Sequence, residues 1–328
     1  MTVAGTRASV TSIAVSIIER VPIQTTLDNG SYILHDQTRA TTGIAHDYGQ
    51  GAKSGIMTVN QNNDDSTANY NNSAIITDFT DNDNNWTAGE MSANEDQYAL
   101  DAHWGSQVVY DYWKNEQGRD SYNGNDASIV SYMHFGTNFS NAGWAAFNSN
   151  RGFMIYGDGG GSWTPLSNLD IVGHEIGHGV TNSNSNLDYE LESGALNEGF
   201  SDIWAMVIEN YSNVTYGTSK DIATLNEENG QGAIRSMQNP NLYNQPDAYR
   251  GNHWVNTLTC TPASNNDYCG VHTNSGVLNY WFWLLSEGGS GTNDNGDSYN
   301  ITGIGIDKAA AIAYRAESVY LTNTSNFN

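Results

Sequence analysis

His174-Glu175-Ile176-Gly177-His178 is the stretch on which the reading of this chain turns. On a helix, positions i and i+4 share a face, so both imidazoles can point at one ion. Glu175 directly follows the first histidine and can reach a water held by that ion. The chain has 8 histidines among 328 residues. Chance supplies on the order of 0.01 such patterns in a chain of this composition. The competing reading is a surface helix with two unrelated histidines. Its flanks argue against that, because Leu169, Ile171, Val172 and Val180 are apolar and bury part of the helix. A buried His-Glu-His cluster without a partner is costly.

A zinc site of this type needs a third protein ligand, and twenty residues past His178 lies Glu198, within Gly194-Ala195-Leu196-Asn197-Glu198-Gly199-Phe200-Ser201-Asp202. Glu198 and Asp202 are four apart and share one face of a second helix. Glu198 can complete a His₂Glu set and leave the fourth position to water. Asp202 can accept a hydrogen bond from the non-ligating nitrogen of one histidine, and Asn197 can do so for the other.

Around this centre the chain divides by pattern. Short strands broken by Asn, Asp and Gly turns are expected at residues 31–34, 55–59, 129–135 and 152–156. The stretch 10–18 is β-branched and lacks a small-residue cleavage site, which favours a strand over the core of a signal peptide. Helical spacing marks 96–114, and then 170–181, 193–210, 275–285 and 307–321. Gly157-Asp158-Gly159-Gly160-Gly161 has no following Lys-Ser/Thr and reads as a turn. The aromatic run Tyr280-Trp281-Phe282-Trp283 reads as core. The expected fold class is α+β. A β-rich N-terminal domain, 1–168, precedes a mainly helical C-terminal domain, 169–328, with the active-site cleft between them.

Charge and composition narrow the function. Asp and Glu number 36 against 12 Lys and Arg, a formal net charge of -24. Such a surface repels phosphate, which disfavours nucleic acid and anionic membranes as partners. No apolar run is long enough to cross a bilayer. Neutral polar residues and carboxylates dominate, which suits a secreted protein. The two cysteines, Cys260 and Cys269, flank a loop of turn residues. A local disulfide there fits an oxidising compartment, and two free thiols are the other reading.

The paired motifs His174-Glu175-x-x-His178 and Gly194-x-x-Asn197-Glu198-x-x-x-Asp202 resemble those of the thermolysin-like zinc endopeptidases. Asp101-Ala102-His103-Trp104, Tyr110-Asp111-Tyr112-Trp113-Lys114-Asn115, Tyr156-Gly157-Asp158-Gly159, Ile234-Arg235-Ser236-Met237 and Gly270-Val271-His272-Thr273-Asn274-Ser275-Gly276 extend the resemblance from about residue 25 to the last. The resemblance implies one catalytic zinc on His174, His178 and Glu198, with Glu175 as general base. It implies that Tyr189 and His272 bind the developing oxyanion and that Asp267 orients His272. It places Arg235 on a substrate carbonyl, and Asn141 with the Ala142 backbone along the substrate strand. Trp163, Leu166, Ile171 and Ile234 fall where the family lines an apolar pocket after the scissile bond. Asp170 and Glu209 match a family calcium site. Asp81, Asp83 and Asn85 resemble a surface calcium loop, for one or two structural calcium ions in all. A Cys260–Cys269 bridge would brace the loop leading to Asp267 and His272.

The expectation is therefore a secreted, monomeric endopeptidase acting on peptides and proteins, matured from its own propeptide, which lies outside this chain. The family's C-terminal domain runs on past the segment matching Tyr320-Leu321-Thr322-Asn323, so a shortened C-terminal domain is expected here. Two alternatives stand beside it: a zinc aminopeptidase with the same ligands, and a non-catalytic binding module on the same fold.

Overall fold

The computed structural model describes residues 2–8, 20–160, 163–226 and 232–328. The stretch 10–18, expected as a strand, and Gly161 of the glycine run lie outside these.

The N-terminal half is built on a six-stranded mixed sheet. Its order runs Ala142–Asn148, Arg151–Tyr156, Ile129–Met133, Ile56–Asn60 and His35–Asp36, with Thr77–Asp78 also on Ile56–Asn60. Ile129–Met133 lies parallel to both neighbours, while Ala142–Asn148 runs antiparallel to Arg151–Tyr156 at the edge. Alternation decides what each face meets. Ile129 and Met133 join the large core beneath the helices, while Val130 and Tyr132 join Tyr48, Met57, Val59, Ile76 and Phe153 on the opposite face. A second sheet pairs Thr2–Ala8, Arg20–Asp28, Ser31–Ile33 and Thr80–Asp81.

Helix α1 (Tyr98–Glu116) lies between this sheet and the helical half. Helices α2 (Leu169–Ser183) and α3 (Leu191–Tyr216) pack along each other and are buried over most of their length. Glycines set their separation. A Cβ on Gly177 would lie 3.1 Å from Ser201 Cα, and one on Gly173 3.3 Å from Ala205 Cα. With hydrogen there instead, the two backbones approach closely. Helix α3 ends at Gly217, whose φ of 71° stops the helix.

After α3 come α4 (Asp267–Asn274), α5 (Gly276–Ser286) and α6 (Ile306–Arg315). The architecture is the expected α+β, with a β-rich N-terminal half and a helical C-terminal half. The C-terminal half also contains strands that helical periodicity passes over. Thr224–Leu225 pairs with Arg235–Ser236, and Gly288–Thr292 forms a hairpin with Ser298–Thr302. The two cysteines form the Cys260–Cys269 disulfide.

Candidate active site and metal centre

Helix α2 aims His174 and His178 at one point, and α3 supplies Glu198 opposite. The ligand atoms of these three lie within 4.8 Å of one another, and no other group of three or more His, Cys, Asp or Glu residues does so among the described residues. The two Nε2 atoms are 3.1 Å apart. Glu198 places Oε2 at 3.3 Å from His174 Nε2 and Oε1 at 3.5 Å from His178 Nε2.

The second nitrogens fix the tautomers. His174 Nδ1 lies 2.8 Å from Asp202 Oδ1, an acceptor, so it carries the proton. His178 Nδ1 lies 2.7 Å from Asn197 Oδ1, and Asn197 Nδ2 is turned away to donate to Leu187 O at 3.0 Å. Ser201 Oγ also approaches His178 Nδ1, at 3.1 Å. The two Nε2 atoms meet beside a buried carboxylate, and Glu198 Oε2 has no hydrogen-bond partner. Two imidazole nitrogens converging beside a buried carboxylate oxygen that no hydrogen bond satisfies ask for a cation. Imidazole, imidazole and carboxylate are the donor set of a three-ligand zinc site, so these residues fit the metal. The electrostatics agree. Burial drives His178 down to about 4, leaving it neutral. At His174, burial is outweighed by Asp202 and Glu198, which hold its imidazole up to about 10, the cluster's demand for positive charge written on a proton.

Asp202 is itself secured. Arg235 donates to it through Nε at 2.9 Å and Nη2 at 2.8 Å, and Asn279 Nδ2 donates at 2.7 Å. Burial opposes its charge, but Arg235 and His174 hold it down at about 2.

Glu175 lines the same cleft and is almost fully buried, and burial pushes its carboxyl up to about 7. On the facing side Tyr189 Oη donates to Glu198 Oε1 and lies 3.3 Å from His272 Nε2. Burial and Glu198 raise the Tyr189 phenol, so it remains a donor. His272 Nδ1 contacts Asp267 Oδ1 at 2.5 Å, and the His272 backbone N–H donates to Asp267 Oδ2 at 3.0 Å. At His272 burial works against charge, and Glu198 and Asp267 outweigh it, raising the imidazole above its ordinary value. This arrangement rests on an unusual backbone. Asp267, Tyr268, Cys269 and Gly270 have φ of 54°, 48°, 74° and 78°, a left-handed turn before the right-handed turn that carries His272. Three consecutive non-glycine residues there are costly unless the surroundings impose the conformation. The disulfide at Cys269 is one such tie.

The cleft has a volume of about 550 Å³. It is lined by Asn141, Ala142, Gly143, Trp144 and Ala146 of the sheet edge and by Leu166, Ile171, Ile234 and Arg235. Arg235 spends Nε and Nη2 on Asp202, and Nη1 has no hydrogen bond among the described residues. Trp163, expected in the apolar pocket, does not line this cleft. Its backbone bridges to Gly160 and its ring packs against the main core. Sequence reasoning passed over Ser201, Asn279 and Gln245, whose Nε2 donates to His272 O at 2.6 Å. It also passed over Trp144, Asn182, Asn186 and Asp188 in the cleft wall. Only the i+3 step from Glu198 to Ser201 on α3 offered a signal.

The calcium positions are less convergent. Asp170 Oδ1 accepts the Ile171 N–H at 2.7 Å, and Oδ2 accepts the Asn226 N–H. Glu209 is buried on α3. Asp81 and Asp83 both accept the Asn85 N–H, at 3.1 Å and 2.9 Å, closing a surface turn.

Residues 12–182 match the family described as thermolysin metallopeptidase, catalytic domain, and residues 185–328 match thermolysin metallopeptidase, alpha-helical domain. The thermostable neutral protease NprT of Geobacillus stearothermophilus is 41% identical over 249 residues, 74% of this chain and 42% of that protein. A bacillolysin of Bacillus cereus is 36% identical over 310 residues, 93% of this chain and 47% of the relative. The chain thus spans less than half the length of these two curated relatives. Among solved structures, the precursor of protealysin, a metalloproteinase from Serratia proteamaculans, shares the fold. Its TM-score is 0.56 at 22% identity, over 83% of this chain and 77% of that one. The chain belongs to the thermolysin metallopeptidase family.

Proposed function

We propose that this chain is a zinc endopeptidase that hydrolyses internal peptide bonds, with a preference for a bulky apolar residue after the scissile bond. The observation that carries this reading is the acceptor set of His174, His178 and Glu198, completed by Glu175 in the same cleft. A zinc ion held by those three residues would polarise the substrate carbonyl and acidify the attacking water. Glu175, with its carboxyl at about 7, is matched to take the proton of that water and pass it to the leaving amine. Tyr189 and His272 stand together on the opposite wall as donors to the developing oxyanion, and Asp267 keeps His272 Nδ1 occupied. The edge strand Ala142–Asn148 offers unpaired backbone groups, beginning beside Asn141, to an extended peptide. Leu166, Ile171 and Ile234 supply the apolar pocket, and Arg235 Nη1 a donor to a substrate carbonyl.

Domains of 1–168 and 169–328 on either side of the cleft belong to the same reading. So do secretion, a monomeric state and maturation from a propeptide. The disulfide supports an oxidising compartment. Among the described residues no helix is long and apolar enough to cross a membrane. Structural calcium at Asp170 with Glu209, and at Asp81, Asp83 and Asn85, is proposed on their carboxylates and carbonyl oxygens.

The test is casein hydrolysis by zinc-loaded protein, with and without a chelator, beside Glu175→Gln. The variant is expected to keep one zinc and lose about 10²-fold or more in kcat. Hydrolysis that survives complete zinc removal, or a fully active variant, sinks the mechanism. A folded, zinc-loaded protein that cleaves nothing would favour a binding module, and release of amino-terminal residues alone would favour an aminopeptidase.

A further inference from the structure

We propose that Asp188 gives the cleft a preference for peptides carrying lysine or arginine just before the scissile bond. This rests on the peptidase reading and deepens it. The cleft follows the whole length of α2, since Ile171, Glu175, His178 and Asn182 all line it and recur at helical spacing along one face. The eleven-residue step from Ile171 to Asn182 corresponds to about 16 Å of helix, room for about five residues of extended peptide. The two ends differ in chemistry. Leu166, Ile171 and Ile234 make the first end apolar, while Asn182, Asn186 and Asp188 make the second polar and acidic. The metal cluster lies between. If the apolar end receives the residue after the scissile bond, the acidic end receives those before it.

Asp188 is not consumed by the fold. Among the described residues its carboxylate makes one polar contact, with Asn323 Nδ2 at 3.4 Å, and no ion pair. Its place is fixed through the backbone, where its N–H donates to Asn323 O at 2.8 Å. Among the described residues Arg235 is the one Lys or Arg lining the cleft, and it is already bonded to Asp202. The C-terminus of α2 closes at Asn184 on this same side, so its carbonyl dipoles add negative potential. Trp144 packs against Gly179 of α2 and lines the cleft, giving an apolar wall along which the methylenes of a lysine or arginine can lie.

Three peptides identical except for Lys, Ala or Glu at the two positions before a single cleavable bond provide the test. Mass spectrometry fixes the bond cleaved, and kcat/KM is read for zinc-loaded wild type and Asp188→Asn. Wild type is expected to favour the Lys peptide over the Glu peptide by about tenfold at low salt. That ratio should fall to about twofold in Asp188→Asn, which keeps the side chain's shape. Zinc stoichiometry verifies that the variant is folded. The wild-type ratio at high salt is an independent arm, because a preference based on charge shrinks with screening and one based on shape does not. Equal cleavage of all three peptides, an unaltered ratio in the variant, or a ratio indifferent to salt overturns the proposal while leaving the peptidase reading intact. Cleavage of none of them overturns the peptidase reading and this inference with it.

Discussion

At the scale of single residues, the proposed metal centre is defined less by the three side chains that would hold the ion than by what holds their far sides. His174 is clamped by a carboxylate that itself receives Arg235 and Asn279, whereas His178 leans on a neutral amide and a serine hydroxyl. A neutral amide and a hydroxyl polarise a ring less than a carboxylate does, so His178 is the more weakly braced of the two proposed ligands. Asn197→Ala removes the Oδ1 that fixes its tautomer and is expected to weaken zinc binding by about 10- to 100-fold. Competition against a chromogenic chelator measures this. Unchanged zinc affinity would mean that Ser201 alone suffices to orient the ring. Glu175 illustrates the same economy, since its burial, more than any one partner, brings its carboxyl to about 7, the range useful for moving a proton near neutrality.

At the scale of elements, the left-handed turn at Asp267–Gly270 positions His272, and the Cys260–Cys269 bridge closes a short loop onto it. Replacing both cysteines by serine is expected to cost about 2–3 kcal/mol of stability on a chain-entropy account. On the proposed mechanism it should also lower kcat more than it raises KM, because Asp267 and His272 would drift from where they are proposed to bind the oxyanion. Chemical denaturation and steady-state kinetics on the variant read the two effects, and a pure stability loss with unaltered kcat would separate the bridge from the site. This turn also shows what periodicity can and cannot convey. Helices α1, α2 and α3 were legible because their apolar spacing is regular, and the His-Glu-His and Asn-Glu spacing on α2 and α3 located the metal cluster. The start of α4 was not, because positive φ at Asp267, Tyr268 and Cys269 follows from tertiary contacts that no local propensity records. The hairpin at Gly288–Thr292 carries little side-chain pattern, its first strand reading GGSGT. The packing of the Trp163 ring against the main core is likewise a tertiary contact that local sequence does not record. Asp188 was invisible for a simpler reason, as one carboxylate among 36 acidic residues gains meaning only from the wall in which it stands.

At the scale of the whole molecule, one ionic contact joins distant parts of the β-rich half. His134 lies between Asp96, just ahead of α1, at 2.9 Å and Asp158, after the strand Arg151–Tyr156, at 2.5 Å. Burial opposes its charge, but the two carboxylates outweigh it and raise the imidazole to about 9. A raised imidazole stabilises the fold fully below the unfolded value of about 6.5, and that contribution disappears as pH rises through about 9. The loss is expected to be on the order of 1–3 kcal/mol. Melting temperatures from pH 6 to 10 for wild type and His134→Gln test it. The gap between the two proteins should close across that interval, and a gap that widens or stays constant contradicts the assignment.

The acidic surface carries a last consequence for how such a molecule treats its own kind. On the proposed peptidase reading, a chain at high local concentration is surrounded by sister chains, each a possible substrate. Here every sister bears a formal charge of -24 and only 12 cationic side chains, and a mouth flanked by Asp188 meets mostly like charge. Mutual repulsion becomes a restraint on self-digestion. Disappearance of intact chain is then expected to be second order in protein and to quicken as salt is added, with salt-indifferent decay the outcome that denies this restraint.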